Sequence, residues 1–529
     1  MRNQPEMIDA NGQFGCNNSS QPLYPRIGDY LKHLSRLGAR RGVAWHASAA
    51  SHHALSVNRS MLEDIRRTPG ARARVIPALA VSPLMLYERN GVSDLRAMMT
   101  GHPTRALHFG PSSAITLRQL EPLLARLADL KPVLFMPAGN FKPDELVEVA
   151  GNCPETHFVI SGIMWGGMVQ GFDYLRRRAN VLLDSSWLHT WNALELIERE
   201  FGPGRVVFGM GGPAHNGAAI AALMDASISE ERRAGIAGGT LERLLALEPV
   251  RRAAPMRGHC GALWKRLMAG RAMGVDMVDA HYHLGGSNGY LIETNDLGEQ
   301  IEASAAMARR LGVGLIMASG MNALCGGDPL AGNRLLAKAL RPYRGRFAAY
   351  FTYNPRFGKV LAPALARMMP EFVGFKTLCG YWGVRIDDKS FAPMWEYADR
   401  YRLPILNHTW DGGIDSPGLL KAVVKAYPNA TFLIGHSGGG DAGRAEAVDL
   451  AVENPNVMLE WCGSFCSSVP WEKTLGQVGA SRVVYGSDAY MHGAAWELGR
   501  LLSLNVPDSQ IKPILGANMR RVLARRRTG

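Results

Sequence analysis

His281 and His283 stand two residues apart in Val278-Asp279-Ala280-His281-Tyr282-His283-Leu284-Gly285, and they are the side chains with the clearest chemical potential. In an extended strand residues i and i+2 point to one face, so both imidazoles converge where the apolar run ends, and Gly285 lets the backbone turn away. That is how a strand offers a metal two ligands. Three later runs of the same kind also end in polar residues: Pro404-Ile405-Leu406-Asn407-His408, Phe432-Leu433-Ile434-Gly435-His436 and Val483-Val484-Tyr485-Gly486-Ser487-Asp488. Imidazole and carboxylate ligands suit zinc, manganese or iron, and a position kept for water makes such a site catalytic rather than structural.

To converge, these residues must sit on parallel strands whose C-terminal ends share one mouth. Short β-rich runs alternate with helical patterns near 275–280, 314–320, 346–353, 373–378, 404–409, 431–437, 457–463 and 482–488. The first half repeats the order near 6–10, 42–48, 74–81, 104–110, 132–138, 157–163, 180–186 and 205–211. Eight βα units in about 250 residues predict a (β/α)8 barrel in each half. The halves also align as a long repeat: Met7-Ile8-Asp9-Ala10-Asn11-Gly12-Gln13-Phe14-Gly15 with Met277 to Gly285, and Arg205-Val206-Val207-Phe208-Gly209 with Arg482 to Gly486. The expected fold is therefore α/β, two tandem TIM barrels over residues 1–250 and 275–529, joined by a linker over 251–274 with a short helix-like piece from Ala262 to Met268.

The first copy replaces each candidate ligand: Asn11 for His281, Gln13 for His283, Met136 for His408, Gly162 for His436 and Gly211 for Asp488, with His108 near the place of Lys376. Those residues bind hard or borderline divalent metals poorly or not at all. The first barrel is expected to be a metal-free pseudoenzyme domain with His46, His52, His53 and His108 as structural histidines; its role is open between imitating the second subunit of an ancestral dimer, binding a carrier or regulator, and contributing a loop over the active site.

As an ordered set, Asp279-Ala280-His281-Tyr282-His283, Asn407-His408, Gly435-His436-Ser437-Gly438-Gly439, Gly486-Ser487-Asp488 and Ile514-Leu515-Gly516-Ala517-Asn518-Met519-Arg520-Arg521 resemble the amidohydrolase superfamily. The similarity is to its amidohydrolase-2 branch of metal-dependent TIM-barrel hydrolases and non-oxidative decarboxylases, over residues 275–525. The resemblance implies that His281, His283 and Asp488 bind the metal, with His408 a further ligand. It implies that His436 is a ligand or the group that polarises substrate or shuttles a proton, and that Asp488 also takes the proton from the activated water. At the position of Lys376, two-metal members carry a carboxylated lysine and one-metal members an unmodified one. A lysine that orients the strand or a substrate anion is the favoured expectation, with a second-metal role as the alternative. Trp410 and Asp411, Tyr381 and Trp382, and Trp461 are expected to line the substrate pocket.

The implied activity is metal-dependent hydrolysis of an amide, lactone or ester of a small molecule, zinc being the first candidate metal and manganese or iron the others. The alternative is non-oxidative decarboxylation of a small, aromatic carboxylic acid, and the alternative of another class is a non-catalytic binding protein that holds a metal. Gly435-His436-Ser437-Gly438-Gly439 also fits a serine-hydrolase elbow with Asp488 and His492 downstream. That reading leaves His281, His283 and His408 unused and has no oxyanion segment.

Composition bounds these expectations. The chain has 529 residues, 47% hydrophobic and 20% charged, which is globular rather than disordered. A net charge of +13 can signal nucleic acid, but the arginines are scattered and no nucleic-acid-binding motif accompanies them, so the potential is read as favouring anionic substrates. Seven cysteines at irregular spacing point to a reducing cytoplasm, and Cys462 and Cys466, the closest pair, lack a second pair for a zinc site. No leader-like apolar segment or membrane-length apolar run is present, so the expectation is a cytoplasmic enzyme with no nucleic-acid or membrane partner, and with the pseudo-dimer open to further homo-oligomerisation. His259 and His492 are expected to be surface or packing residues.

Overall fold

The computed structural model describes residues 5–18, 24–110, 115–212, 215, 217–248, 261–286 and 290–527. The chain divides into two compact units, residues 2–260 and 261–529. Of the expected linker, 251–260 lies outside the described residues. Ala262–Met268 is a helix of the second unit, where the Leu263 N–H donates to Asp508 Oδ2 at 3.1 Å.

In the first unit β1 (Ile8–Phe14), β2 (Arg41–His46) and β3 (Val75–Pro77) form a three-stranded parallel sheet. A six-stranded parallel sheet follows, in the order β4 (Leu79–Ala80), β5 (Ala106–His108), β6 (Val133–Pro137), β7 (His157–Ser161), β8 (Val181–Asp184) and β9 (Val206–Val207). One continuous strand was expected over 74–81; Pro77 has no N–H to give a ladder, and pairing resumes only at Leu79. The unit thus carries two parallel sheets where a single closed one was expected, although the Ala10 N–H donates to the Phe208 carbonyl at 2.8 Å beyond β9. Ile8, Ala10, Val43, Ile76, Val133, Phe135, Val159, Leu182 and Val207 meet in one buried core.

The second unit is a nearly closed eight-stranded parallel α/β barrel, TIM-like, in the order β10 (Met277–Leu284), β11 (Val313–Gly320), β12 (Phe347–Thr352), β13 (Phe372–Thr377), β14 (Pro404–His408), β15 (Thr431–Gly435), β16 (Val457–Glu460) and β17 (Val483–Val484). The last strand meets the first through Ala280 N–H to the Tyr485 carbonyl at 2.9 Å and a parallel bridge between Tyr282 and Ala489. Val278, Ala280, Leu315, Met317, Tyr350, Leu406, Leu433, Met458 and Val484 fill its core. Such side chains stabilise by about 1.5–3 kcal/mol each when fully buried. The helix Leu297–Leu311 shows how the outer layer is set: the Asp296 carboxylate accepts the Glu299 N–H, Gly312 closes the helix in the left-handed region, and Ile301, Ala305 and Ala308 form the buried stripe.

A bulge decides which way the two histidines point. Along β10 the pairing advances from Asp279 to Tyr282 while β11 advances only from Ile316 to Ala318. The extra residue lets Ala280 stay in the core while His281 and His283 turn to the mouth. Asp279 pins the bulge, accepting the His281 N–H at 3.3 Å, the Ser487 N–H at 3.0 Å and the Ser487 hydroxyl at 2.5 Å. Among the described residues no helix is long and apolar enough to cross a membrane.

Candidate metal centre

Three buried donors converge at the barrel mouth. His281 Nε2 lies 3.2 Å from His283 Nε2, and Asp488 Oδ1 lies 3.0 Å from His283 Nε2 and 3.5 Å from His281 Nε2. A tetrahedral ion with bonds of about 2.0–2.1 Å separates its ligands by roughly 3.3 Å, so the set fits a zinc-sized cation held by two imidazoles and a carboxylate. Lys376, fully buried at the end of β13, puts Nζ 2.6 Å from His281 Nε2. It therefore sits on the donors themselves, deeper than a rim anchor would.

The protonation states suit a cation. Burial pushes the His281 and His436 imidazoles far below the usual range and lowers His283 as well. Burial alone would raise the Asp488 carboxyl, but the imidazoles of His281, His492 and His283 outweigh it and hold the group well below the usual carboxylate range. Burial also lowers the Lys376 ammonium to about 8. Asp488 sits in the left-handed region (φ 55°), a backbone state a non-glycine residue adopts only when its surroundings fix it; here its N–H donates to the His281 carbonyl at 2.8 Å.

Each histidine of the mouth is held from behind through Nδ1. Glu460 Oε2 lies 3.1 Å from His281 Nδ1, Ser319 Oγ 3.2 Å from His283 Nδ1, Asp415 Oδ2 2.8 Å from His408 Nδ1, and Cys462 Sγ 3.6 Å from His436 Nδ1. These contacts turn the Nε2 edges toward the mouth. Sequence reasoning missed all four partners. Glu460 closes β16 just as the expected ligands close their strands and could have been found by that rule, whereas Asp415 lies in a loop with no periodicity to expose it.

His408 lies outside the close group of three donors, with its ring 4.9 Å from that of His436. Trp461 is core rather than pocket, because side chains alternate along the strand end and it points away from the side shared by Glu460 and Cys462. Its indole N–H donates to the Glu497 carbonyl at 3.3 Å and the Arg500 guanidinium lies 4.6 Å from its ring. Trp382 is likewise buried and donates to the Leu324 carbonyl at 2.8 Å. Asp411 accepts the Gly443 N–H at 2.7 Å and so ties its loop to the first turn of the helix Asp441–Glu453. Tyr381 and Trp410 do flank the mouth, with rings 5.6 Å and 6.2 Å from that of His408.

His492 is neither a surface residue nor mere packing: it is buried with Nε2 3.8 Å from Asp488 and Nδ1 3.6 Å from Glu497, itself paired with Arg500 at 2.8 Å. Ser437, the would-be nucleophile of the serine-hydrolase elbow, donates its hydroxyl to the Glu460 carbonyl at 2.6 Å. Cys462 is buried and Cys466 exposed, so they form no pair. His259 lies outside the described residues.

Residues 278–525 match the amidohydrolase family. That part of the chain is similar to 5-carboxyvanillate decarboxylase from Sphingomonas paucimobilis (14% identity, 47% of this chain and 99% of that one, TM-score 0.35). It is also similar to 2,6-dihydroxybenzoate decarboxylase from Rhizobium (14% identity, 47% and 99%, TM-score 0.37) and to 5-carboxyvanillate decarboxylase from Novosphingobium aromaticivorans complexed with manganese (14% identity, 47% and 96%, TM-score 0.36). No curated protein matches the chain.

The first unit repeats several supporting contacts of the second without its donors. Asp9 accepts the N–H groups of Asn11 and Met210 at 3.0 and 2.8 Å, as Asp279 accepts those of His281 and Ser487, and β1 carries the same bulge between Asp9 and Gly12. The Arg205 guanidinium donates to the Leu175, Arg178 and Val181 carbonyls, and that of Arg482 to the Ala451, Asn454 and Val457 carbonyls. Asn58 clamps Ala80 by two hydrogen bonds, as Asn333 clamps Thr352. Asn11 Nδ2 donates to Ser186 Oγ at 3.2 Å where the other unit sets His281 Nδ1 against Cys462 Sγ. Among the described residues, groups of three or more potential metal donors occur only in the second unit. His108 stacks on Trp45 at 3.9 Å and His53 caps the helix Ala54–Arg67, as structural histidines do.

Proposed function

We propose that the second unit is a metal-dependent hydrolase of the amidohydrolase type, acting on an amide, lactone or ester of a small molecule, and that the first unit is a degenerate, metal-free copy of the same barrel. The observation that carries the first part is the convergence of His281 Nε2, His283 Nε2 and Asp488 Oδ1 within 3.5 Å of one another. These residues would hold a divalent cation, zinc first and manganese or iron as alternatives, with His408 as the next imidazole available. A cation there supplies Lewis-acid polarisation of a substrate carbonyl. Asp488, kept ionised, accepts a proton from the attacking water, and His436 faces the same space to pass a proton onward. Tyr381 and Trp410 give the mouth an aromatic wall. The recurring Asp9/Asp279, Arg205/Arg482 and Asn58/Asn333 contacts support the duplication.

One observation favours decarboxylation as a second reading: Lys376 places a buried amine 2.6 Å from a ligand nitrogen, where a substrate carboxylate would find a cationic partner. The test is to load the protein with zinc or manganese and offer amides, lactones and esters beside aromatic carboxylic acids, following new carboxylate and released carbon dioxide separately. Turnover that yields carboxylate and is lost in His281→Ala supports hydrolysis. Carbon dioxide release replaces it with the second reading, and a metal-loaded protein inert to both sets makes the unit a binding protein.

A further inference from the structure

Beside the three donors of the mouth lies a second close group, His281, His436, Glu460 and Cys462, all buried. It shares His281 with the first, one ring nitrogen facing each. The second group could be a metal site or a hydrogen-bond hub, and Glu460 decides between them. Its Oε1 accepts the Cys462 N–H at 2.8 Å. Its Oε2 accepts the His436 N–H at 3.0 Å, faces His281 Nδ1 at 3.1 Å and lies 3.2 Å from Cys462 Sγ. Its two oxygens thus already serve three partner residues of this chain as a hydrogen-bond hub.

We propose that Glu460 is a positioning residue that fixes the site from behind: it holds the Nδ1–H of His281, so that Nε2 is the lone pair offered to the metal, and anchors the turn that presents His436. This inference rests on the metal-binding reading above and extends it. The His436 turn needs an anchor, since His436 and Ser437 both lie in the left-handed region, at φ 60° and 45°, which a non-glycine residue adopts only when its surroundings fix it. A single carboxylate therefore ties a ligand on β10 to a histidine after β15. Cys462 contributes an S–H to the same hub and no thiolate to a metal.

The test is a competition titration of zinc against a chromophoric chelator on metal-free full-length protein, wild type, Glu460→Gln and Glu460→Asp, with folding checked by circular dichroism. Glu460→Gln keeps size but loses the charge, and is expected to bind zinc 10- to 100-fold more weakly, as loss of such outer partners does. Glu460→Asp keeps the charge on a shorter arm and is expected to recover part of that loss, which a merely space-filling role would not predict. Cobalt-loaded wild type is expected to lack a sulfur-to-cobalt charge-transfer band. Wild-type zinc affinity in Glu460→Gln, a Glu460→Asp variant no tighter than Glu460→Gln, or a thiolate band that disappears in Cys462→Ser, overturns the proposal. A wild type that binds no metal at all removes the functional reading and this inference with it.

Discussion

The two units of this molecule share several supporting contacts and differ in the side chains beside them. Asp9 and Asp279 pin the same bulge, Arg205 and Arg482 gather the same trio of carbonyls, and Ser186 and Cys462 each give their N–H to a buried carboxylate two residues earlier. Yet one bulge presents His281 and His283 and the other Asn11 and Gln13. The contacts that hold the strands together are thus separable from the side chains that face the mouth, because the former are satisfied by backbone groups of the fold itself.

The most severe way to break this comparison is to give the second mouth the side chains of the first. His281→Asn combined with His283→Gln is expected to abolish metal retention, measured by elemental analysis, and to reduce any metal-dependent turnover by more than about 10³-fold, while circular dichroism stays as in wild type. Retained metal would show that the donors have been misidentified.

A smaller effect is expected where the units agree. Asp9→Ala and Asp279→Ala each leave buried N–H groups without an acceptor, at about 1–3 kcal/mol per group. Denaturant unfolding is expected to show comparable destabilisation for both. A cost confined to Asp279→Ala would mean that the bulge matters only where it serves chemistry.

The smallest expected effect concerns pH. His108 is lowered to about 3 by burial, against about 6.5 when unfolded, so between those values the unfolded chain binds a proton that the folded chain excludes. Its contribution is fully present above about pH 6.5 and falls by about 1.4 kcal/mol per pH unit as the solution is acidified toward pH 3. His108→Phe is expected to keep the ring stacked on Trp45 and to reduce proton uptake on unfolding at pH 5 by about one per chain, measured by potentiometry. Unchanged uptake would place the protonated histidine in the folded state.

Much of the second mouth was legible in the residues because a barrel puts chemistry at strand ends, and strand ends announce themselves as polar residues closing apolar runs. His281, His283 and Asp488 came together on that rule, and Lys376 arrived beside them. The rule misfired within β16's ending, where Trp461 drew attention by size while the alternation of side chains gave the mouth to Glu460 and Cys462. Asp415 and Ser319 left no local trace, since each matters only for the imidazole it meets across the fold.

By itself the sequence determined the βα alternation and the strand ends of the second half that carry His281, His283 and Asp488, since periodicity and residue chemistry are local properties. The tertiary structure alone decided that the pairing slips by one residue in β10, that His408 stands apart from the close donors, that His492 is buried beside Asp488, and that β3 stops at Pro77. Register, burial and Nδ1 partners depend on groups far away in the chain, and no local pattern encodes the distance between them.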